Sequence, residues 1–117
     1  MRKYMKTLVN YSATSFKRCG NHAVTLETKS TTFLDDRTGK EVEIKNPSKV
    51  YPLRVFTYHD NVICVVSDSV NEFWLSHAGW WTSSTTQALN QYRTYFENWG
   101  YHCMTVPLQV STRRKTS

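Results

Sequence analysis

The apolar run from Val62 to Val66 constrains the fold of this chain more than any other segment. It contains five consecutive apolar residues, three of them valine. A short continuous run rich in β-branched side chains is typical of a strand buried on both faces, at the centre of a sheet. Before it, Leu53 and Val55 alternate with other residues, and residues 59–61 are a His-Asp-Asn turn signal. Residues 53–66 are therefore predicted to form a β-hairpin.

Other segments have the composition of further strands. Residues 22–33 contain four threonines together with Val24 and Leu26, a composition that favours a strand. Residues 41–45 alternate apolar and charged side chains after the turn signal at 35–39, which predicts a hairpin with one solvent-exposed face. Residues 72–75 are predicted to form another strand. Residues 5–9 are predicted to form a short strand, and residues 101–110 a last strand that is interrupted or lies at an edge because it contains Pro107.

A long helix is predicted in the second half of the chain, over about residues 85–99. Ser84 and Gln87 have the spacing of a capping box, and Gly100 is a natural stop. Apolar residues recur at spacings of three and four and form one stripe: Ala88, Leu89, Tyr92, Phe96 and Trp99. A shorter helix, Ala13 to Cys19, is predicted after a Ser12 cap.

Together these segments predict an α+β fold. We expect an antiparallel sheet of five or six strands, one long helix packed across one face and a short N-terminal helix. A chain of 117 residues fits a single domain, assigned to residues 1–110, with a disordered basic tail at 111–117. The chain has no run of about 18 apolar residues that could span a membrane. Three cysteines without a secretion signal predict free thiols in the cytoplasm.

Positive charge is concentrated at the two ends of the chain. The net charge is +6, yet residues 21–110 carry seven basic and nine acidic side chains. The basic ends are Arg2, Lys3, Lys6, Lys17 and Arg18 on one side and Arg113, Arg114 and Lys115 on the other. Such ends either keep a protein in solution or hold a phosphate, and composition leaves both readings open.

Neither a metal site nor a catalytic centre is expected. Cys19 and His22 have ligand spacing, and His102 with Cys103 could complete four ligands. However, adjacent residues on a strand point to opposite faces, so His102 and Cys103 could not both reach one ion without a distortion of the strand. Cys64 lies in an apolar strand, where burial makes a thiol inert. No glycine elbow surrounds a serine, and glycine-rich phosphate loops are absent, so neither an enzyme nor a cofactor is predicted.

Binding to another protein is the leading functional hypothesis. Aromatic side chains are common anchors in protein interfaces, and exposed aromatics on loops are hard to explain by folding alone. The candidate anchors are Trp74, Trp80, Trp81 and Tyr95. The alternative is that these rings only cover the sheet.

Nucleic acid is the second candidate ligand. Its phosphates would contact the basic ends, Arg2, Lys3, Lys6, Lys17, Arg18, Arg113, Arg114 and Lys115, while the aromatics stack on bases. The basic and aromatic residues are segregated along the sequence, whereas single-strand binders interleave them.

The segment from Leu53 to Phe96 resembles small accessory proteins of tailed bacteriophages. These have a β-hairpin followed by a helix start of the form aromatic-Ser-x-Thr-Thr-x-x-His, here matched by Ser83-Ser84-Thr85-Thr86. The sequence departs from the pattern at the histidine position, which is Leu89. The resemblance implies a phage accessory protein without assigned chemistry. Together with the near-neutral middle of the chain, it leads us to expect a non-enzymatic protein that binds and modulates or inhibits a host protein, in host takeover or anti-defence, within the host cytoplasm.

Overall fold

A computed structural model describes residues 16–104, with side chains from residue 20 onward. This part of the chain contains eight strands and one helix. They are β1 (Phe16–Cys19), β2 (His22–Glu27), β3 (Ser30–Leu34), β4 (Glu41–Lys45), β5 (Leu53–Tyr58), β6 (Asn61–Ser67), β7 (Glu72–Leu75), α1 (Ser83–Asn98) and β8 (His102–Cys103).

Strand β6 lies inside a six-stranded sheet of order β1-β2-β5-β6-β7-β8. Its residues Cys64, Val65 and Val66 are fully buried, as the apolar run predicted. The β5–β6 hairpin is also confirmed. The register of this pair shifts after Phe56, so that Phe56 pairs with Cys64 whereas Thr57 pairs with Val62. Ile63 is therefore a bulge residue, which strengthens the local twist of the sheet.

The sheet is mixed, which corrects the prediction of a purely antiparallel one. Strands β7 and β8 pair in parallel, with Glu72 opposite His102 and Phe73 opposite Cys103. Helix α1 connects these two strands. Parallel neighbours need a long crossover of this kind, whereas every other pair in the sheet is antiparallel and can use a shorter return.

The β3–β4 hairpin is confirmed, but it forms a sheet of its own rather than extending the main one. Its apolar residues pack on the face of the main sheet opposite the helix. The buried cluster there consists of Phe33, Val42, Ile44, Leu53, Val55, Val65 and Trp74. The helix side holds a second cluster, which consists of Val24, Phe56, Ile63, Cys64, Val66, Phe73, Ala88, Leu89, Tyr92 and Phe96. The described part of the chain thus has three layers.

Helix α1 begins two residues earlier than predicted. Thr82, not Ser84, is the N-cap, and its hydroxyl accepts a hydrogen bond from the Thr85 N–H at 3.2 Å. The Gly100 stop is confirmed: Gly100 has φ +86°, and the Tyr101 N–H returns to the Phe96 carbonyl at 2.9 Å. Trp99, predicted as part of the apolar stripe, is 69% exposed, because it is the C-cap and has left the helical path.

The predicted short N-terminal helix is wrong over residues 16–19, which form β1 and pair with β2 from Phe16↔Thr25 to Cys19↔His22. The local pattern of these four residues does not distinguish the two elements, whereas pairing with β2 supplies backbone hydrogen bonds along the segment. Residues 13–15, the predicted strand at 5–9, the rest of the last strand and the tail at 111–117 lie outside the described residues. Helix α1 is too short and too polar to cross a bilayer, and it is the only helix among the described residues.

Candidate functional site

Two tight turns and one longer loop meet at a single end of the main sheet. The β1–β2 turn lies beside the β5–β6 turn, because His22 pairs with Tyr58 and the His59 N–H donates to the Asn21 carbonyl at 2.8 Å. Strand β7 runs antiparallel to β6, so the chain leaving β7 arrives at this same end. That loop, residues 76–82, is called the tryptophan loop below.

Hydrogen bonds fix the backbone of the tryptophan loop. The Ser76 hydroxyl donates to the Leu34 carbonyl and accepts from the Ala78 N–H at 2.9 Å. The Trp80 N–H donates to the His77 carbonyl at 2.8 Å. Ala78 and Gly79 both have positive φ, 53° and 83°, which makes the sharp bend between them. The loop then ends in the Thr82 cap, so both of its ends are anchored.

Trp80 and Trp81 project from this anchored loop. Their side chains are 59% and 66% exposed. Trp81 stacks on the His77 ring with centroids 3.7 Å apart and planes 13° apart, so one face of its indole is supported. The loop therefore presents two adjacent large rings to solvent in a defined geometry.

An aromatic cleft of about 360 Å³ opens beside Trp80. It is lined by Tyr58, His59, Asn61, Ile63, His77, Trp80, Thr82, Ser84 and Thr85. The Tyr58 ring is fixed in orientation, because it stacks on the His22 ring with centroids 4.5 Å apart. Ile63, the bulge residue, contributes an apolar side chain to the lining of this cleft, and Ser84 and Thr85 in the first turn of α1 contribute hydroxyls.

A second, polar cleft of about 330 Å³ lies on the other side of His77. Its lining consists of Asp35, Asp36, Arg37, Leu75, His77, Thr86, Leu89, Asn90, Arg93, Cys103 and Met104. His77 lines both clefts and joins the layers: its Nδ1 lies 2.8 Å from Asp36 Oδ2, and its Nε2 lies 3.1 Å from Thr86 Oγ1. The β3–β4 hairpin, the tryptophan loop and helix α1 are thus connected through one imidazole.

The structure distributes the predicted partner-binding residues unevenly. Trp80 and Trp81 lie together on the tryptophan loop. Trp74 is only 3% exposed and belongs to the cluster under the β3–β4 hairpin. Tyr95 is half-buried against Phe96 on α1, about 18 Å along the helix from Ser83. Neither Trp74 nor Tyr95 therefore joins the exposed pair.

The predicted nucleic-acid residues fall mostly outside the described part of the chain. Lys17 and Arg18 lie on the outer strand β1, where only the backbone is described. The other six, Arg2, Lys3, Lys6, Arg113, Arg114 and Lys115, belong to the segments outside it.

The cysteine and histidine pairs considered for zinc lie far apart. Cys19 and His22 flank the β1–β2 turn, whereas His102 and Cys103 form β8 at the opposite edge of the sheet. Four strand spacings separate β2 from β8, roughly 19 Å. Among the residues that the structure describes, no group of three or more His, Cys, Asp or Glu side chains could hold a metal ion.

Burial raises the pKa of both cysteine thiols whose side chains are described, Cys64 and Cys103. Cys64 is fully buried, and desolvation raises its pKa far above the ordinary value, which keeps it a neutral thiol. Desolvation also raises the pKa of Cys103, opposed by the nearby Arg93.

Sequence reasoning missed the role of His77. Its carboxylate partner, Asp36, is 41 residues away, and no local pattern links the two positions. No protein-family model matches the chain, and no curated protein or solved structure shows significant similarity to it.

Proposed function

We propose that this chain binds a partner protein through the tryptophan loop and the aromatic cleft beside it. The observation that carries the proposal is the pair Trp80 and Trp81, both more than half exposed on a loop whose two ends are anchored. A folded chain gains nothing from holding two large rings in water. Exposed apolar surface of this kind is typical of interaction sites.

The fixed backbone of the loop favours tight binding. Association costs free energy for every flexible side chain and loop that must be ordered, and an anchored loop reduces that cost. Tryptophan is also enriched among the few residues that dominate the energy of an interface. Trp81, supported by His77 at 3.7 Å, offers its outer face to a partner without losing much freedom.

The lining of the aromatic cleft indicates which groups of the partner would bind there. Tyr58, His59 and Trp80 make an aromatic wall above Ile63, a lining suited to an apolar side chain. The exposed Ser84 hydroxyl also lines the cleft and can hydrogen-bond to the partner's backbone, whereas the Thr82 hydroxyl is engaged as the helix cap. Given the resemblance of residues 53–96 to phage accessory proteins, the partner we propose is a bacterial host protein whose activity the chain modulates or inhibits.

Nucleic acid is retained as a second candidate on one observation. In sequence the basic and aromatic residues are segregated, but β1, which carries Lys17 and Arg18, ends at Cys19 opposite His22, and His22 stacks on Tyr58. A basic strand therefore runs close to the aromatic cleft, the juxtaposition that single-strand binding requires.

The test is affinity capture from bacterial lysate, followed by a dissociation constant measured with the captured protein. Trp80→Ala and Trp81→Ala should each weaken binding by about thirtyfold or more, the effect of losing about 2 kcal/mol at a hot spot. Trp99→Ala is the matched control, since Trp99 is 69% exposed but caps the far end of α1. It should leave affinity unchanged.

Two further measurements separate the candidates. Capture should survive nuclease treatment, and removal of residues 111–117 should change affinity little. If nucleic acid is the ligand, binding weakens steeply between about 50 and 200 mM salt, and the truncation flattens that dependence. Folded Trp80→Ala and Trp81→Ala variants that bind normally, together with loss of binding on truncation, would contradict the protein-binding proposal.

A further inference from the structure

The geometry around His77 points to a second activity. We propose that Thr86 is a nucleophile activated by His77 and oriented through Asp36, and that it accepts acyl groups from small carboxylic esters bound in the polar cleft. Catalysis there lies beyond the binding function proposed above. It also departs from the sequence-based expectation of a non-enzymatic protein, because the three residues come together only in the folded chain.

The hydrogen bonds decide which nitrogen of His77 carries the proton. Asp36 Oδ2 lies 2.8 Å from Nδ1, and Asp36 Oδ1 accepts the His77 backbone N–H at 2.8 Å. A carboxylate accepts hydrogen bonds, so the contact with Asp36 favours a proton on Nδ1. In the tautomer that carries its proton on Nδ1, Nε2 accepts a hydrogen bond from the Thr86 hydroxyl, 3.1 Å away. This is the acid–base–hydroxyl order that nucleophilic acyl transfer requires.

The imidazole is held in this orientation from several sides. The Asp36 carboxylate is fixed by the backbone of His77 as well as by its ring, and the ring stacks on Trp81 at 3.7 Å. The His77 side chain is 14% exposed. Because the imidazole is already fixed next to the Thr86 hydroxyl, little free energy is needed to orient it for the reaction.

The polar cleft places substrate and nucleophile together. Thr86 is exposed, and Thr86, Asn90 and Arg93 are spaced at i, i+4 and i+7 on α1, so they share one face and line the same cleft. The side chains of Asn90 and Arg93 carry N–H donors that can stabilise negative charge on a carbonyl oxygen. A volume of about 330 Å³ accommodates a small acyl group and its leaving alcohol.

The reaction balances without a further reagent. Thr86 Oγ1 forms a bond to the ester carbonyl carbon while its proton passes to His77 Nε2. The bond from that carbon to the alkoxy oxygen then breaks, and the departing alcohol takes the proton from Nε2. Water then attacks the acyl carbon while one of its protons passes to His77 Nε2. The bond from that carbon to Thr86 Oγ1 breaks, Oγ1 takes the proton from Nε2, and the carboxylic acid is released.

Cys103 is the competing nucleophile in the same cleft. Desolvation raises the pKa of its thiol, so the reactive thiolate is scarce near neutral pH. No carboxylate–imidazole pair is directed at its sulfur among the described contacts, unlike Thr86. A thiol product is nonetheless easily told from a threonine product by mass spectrometry.

The test uses an alkyl fluorophosphonate, which phosphonylates activated hydroxyls with loss of fluoride. Peptide mass spectrometry of the folded full chain should locate the adduct on Thr86, and unfolding in urea should abolish it. Thr86→Ser should retain labelling and Thr86→Val should eliminate it. Thr94→Val is the control, because Thr94 is an exposed threonine of the same helix that lines neither cleft, and labelling at residue 86 should continue in it.

Two variants then examine the base and its positioning residue. His77→Gln and Asp36→Asn should slow labelling at Thr86 by about a hundredfold or more. Far-UV circular dichroism of each variant establishes that it is folded, and the rate rather than the stability is the readout. Absence of an adduct on Thr86 in the folded wild type would overturn the proposal. So would a labelling rate that is equal in wild type and in folded His77→Gln. Neither result tests partner binding through Trp80, which is tested separately by the dissociation constants of the Trp80→Ala and Trp81→Ala variants.

Discussion

At the residue scale, one carboxylate joins three separate segments of the chain. Asp68 receives two hydrogen bonds from Arg54, at 2.9 and 2.7 Å, and one from the Tyr101 hydroxyl at 2.5 Å. The Arg54 guanidinium also lies 5.2 Å from the centre of the Phe96 ring. Arg54 is on β5, Asp68 follows β6, and Tyr101 precedes β8, so this group stabilises the arrangement of elements that are distant in sequence.

The contacts among Arg54, Asp68 and Tyr101 predict that the folded chain loses stability at alkaline pH. Burial, reinforced by the hydrogen bond to Asp68, raises the pKa of Tyr101 from 10.0 to about 12. The folded chain therefore holds this proton more tightly than the unfolded chain. The stabilisation is fully present below the unfolded pKa and is lost as pH rises through the folded one. Unfolding free energies from urea titrations should fall between about pH 10 and 12, and less steeply in Tyr101→Phe.

Tyr51→Phe is the matched control for removing a tyrosine hydroxyl, because the Tyr51 ring is 58% exposed. Equal pH slopes for wild type and Tyr101→Phe over this range would show that the bond to Asp68 does not contribute to stability.

At the scale of elements, the long helix is stabilised mainly by its buried face rather than by its own propensity. It is rich in serine, threonine and tyrosine, with neither acidic residues in its first turn nor basic residues in its last. Its buried residues, Thr85, Ala88, Leu89, Tyr92 and Phe96, follow the 3.6-residue period. Packing against the sheet must therefore supply most of the free energy that keeps this segment helical.

Leu89→Ala tests that conclusion. Leu89 belongs to the cluster under α1, and truncating a buried leucine should cost about 2–5 kcal/mol of unfolding free energy. Thr94→Ala, at an exposed position of the same helix, should change it by less than about 0.5 kcal/mol. Chemical denaturation of both variants gives the comparison, and a loss below about half a kcal/mol in Leu89→Ala would contradict the packing described here.

At the scale of the whole molecule, the main sheet serves both buried clusters. Val65 faces the β3–β4 hairpin while its neighbours Cys64 and Val66 face the helix, so β6 contributes to each cluster. The Asp36–His77–Thr86 contacts join the two outer layers at the end of the sheet. We expect the layers to unfold together, since neither can lose its packing without exposing β6.

Ile44→Ala tests this coupling from the hairpin side. Ile44 is fully buried on β4, and its truncation should lower the unfolding free energy by about 2–5 kcal/mol while leaving a single transition. Near-UV and far-UV circular dichroism should lose their signals at the same denaturant concentration. Ile44→Val offers a milder change, and Lys45→Ala, next to it but exposed, is the control. Separate transitions in the two spectral ranges would mean that the hairpin unfolds on its own.

The sequence by itself determined the elements whose patterns are local. The buried strand at 62–66, the β3–β4 and β5–β6 hairpins, the long helix and its glycine stop all follow from periodicity, turn residues and capping within a few positions of each residue. The predicted helix start was two residues too late, because any of several successive hydroxyl residues can act as the cap and only the fold selects Thr82.

Only the tertiary structure decided how these elements meet. The placement of the β3–β4 hairpin on the opposite face, the parallel pairing of β8 and the burial of Trp74 but not Trp80 depend on contacts between distant segments. The candidate sites are of this kind as well: Asp36 and His77 are 41 residues apart, and Tyr58 at the end of β5 lines the same cleft as Trp80 on the loop after β7. A residue's neighbours along the chain fix its backbone preference, whereas the chemistry it can perform depends on which side chains the packed layers bring against it.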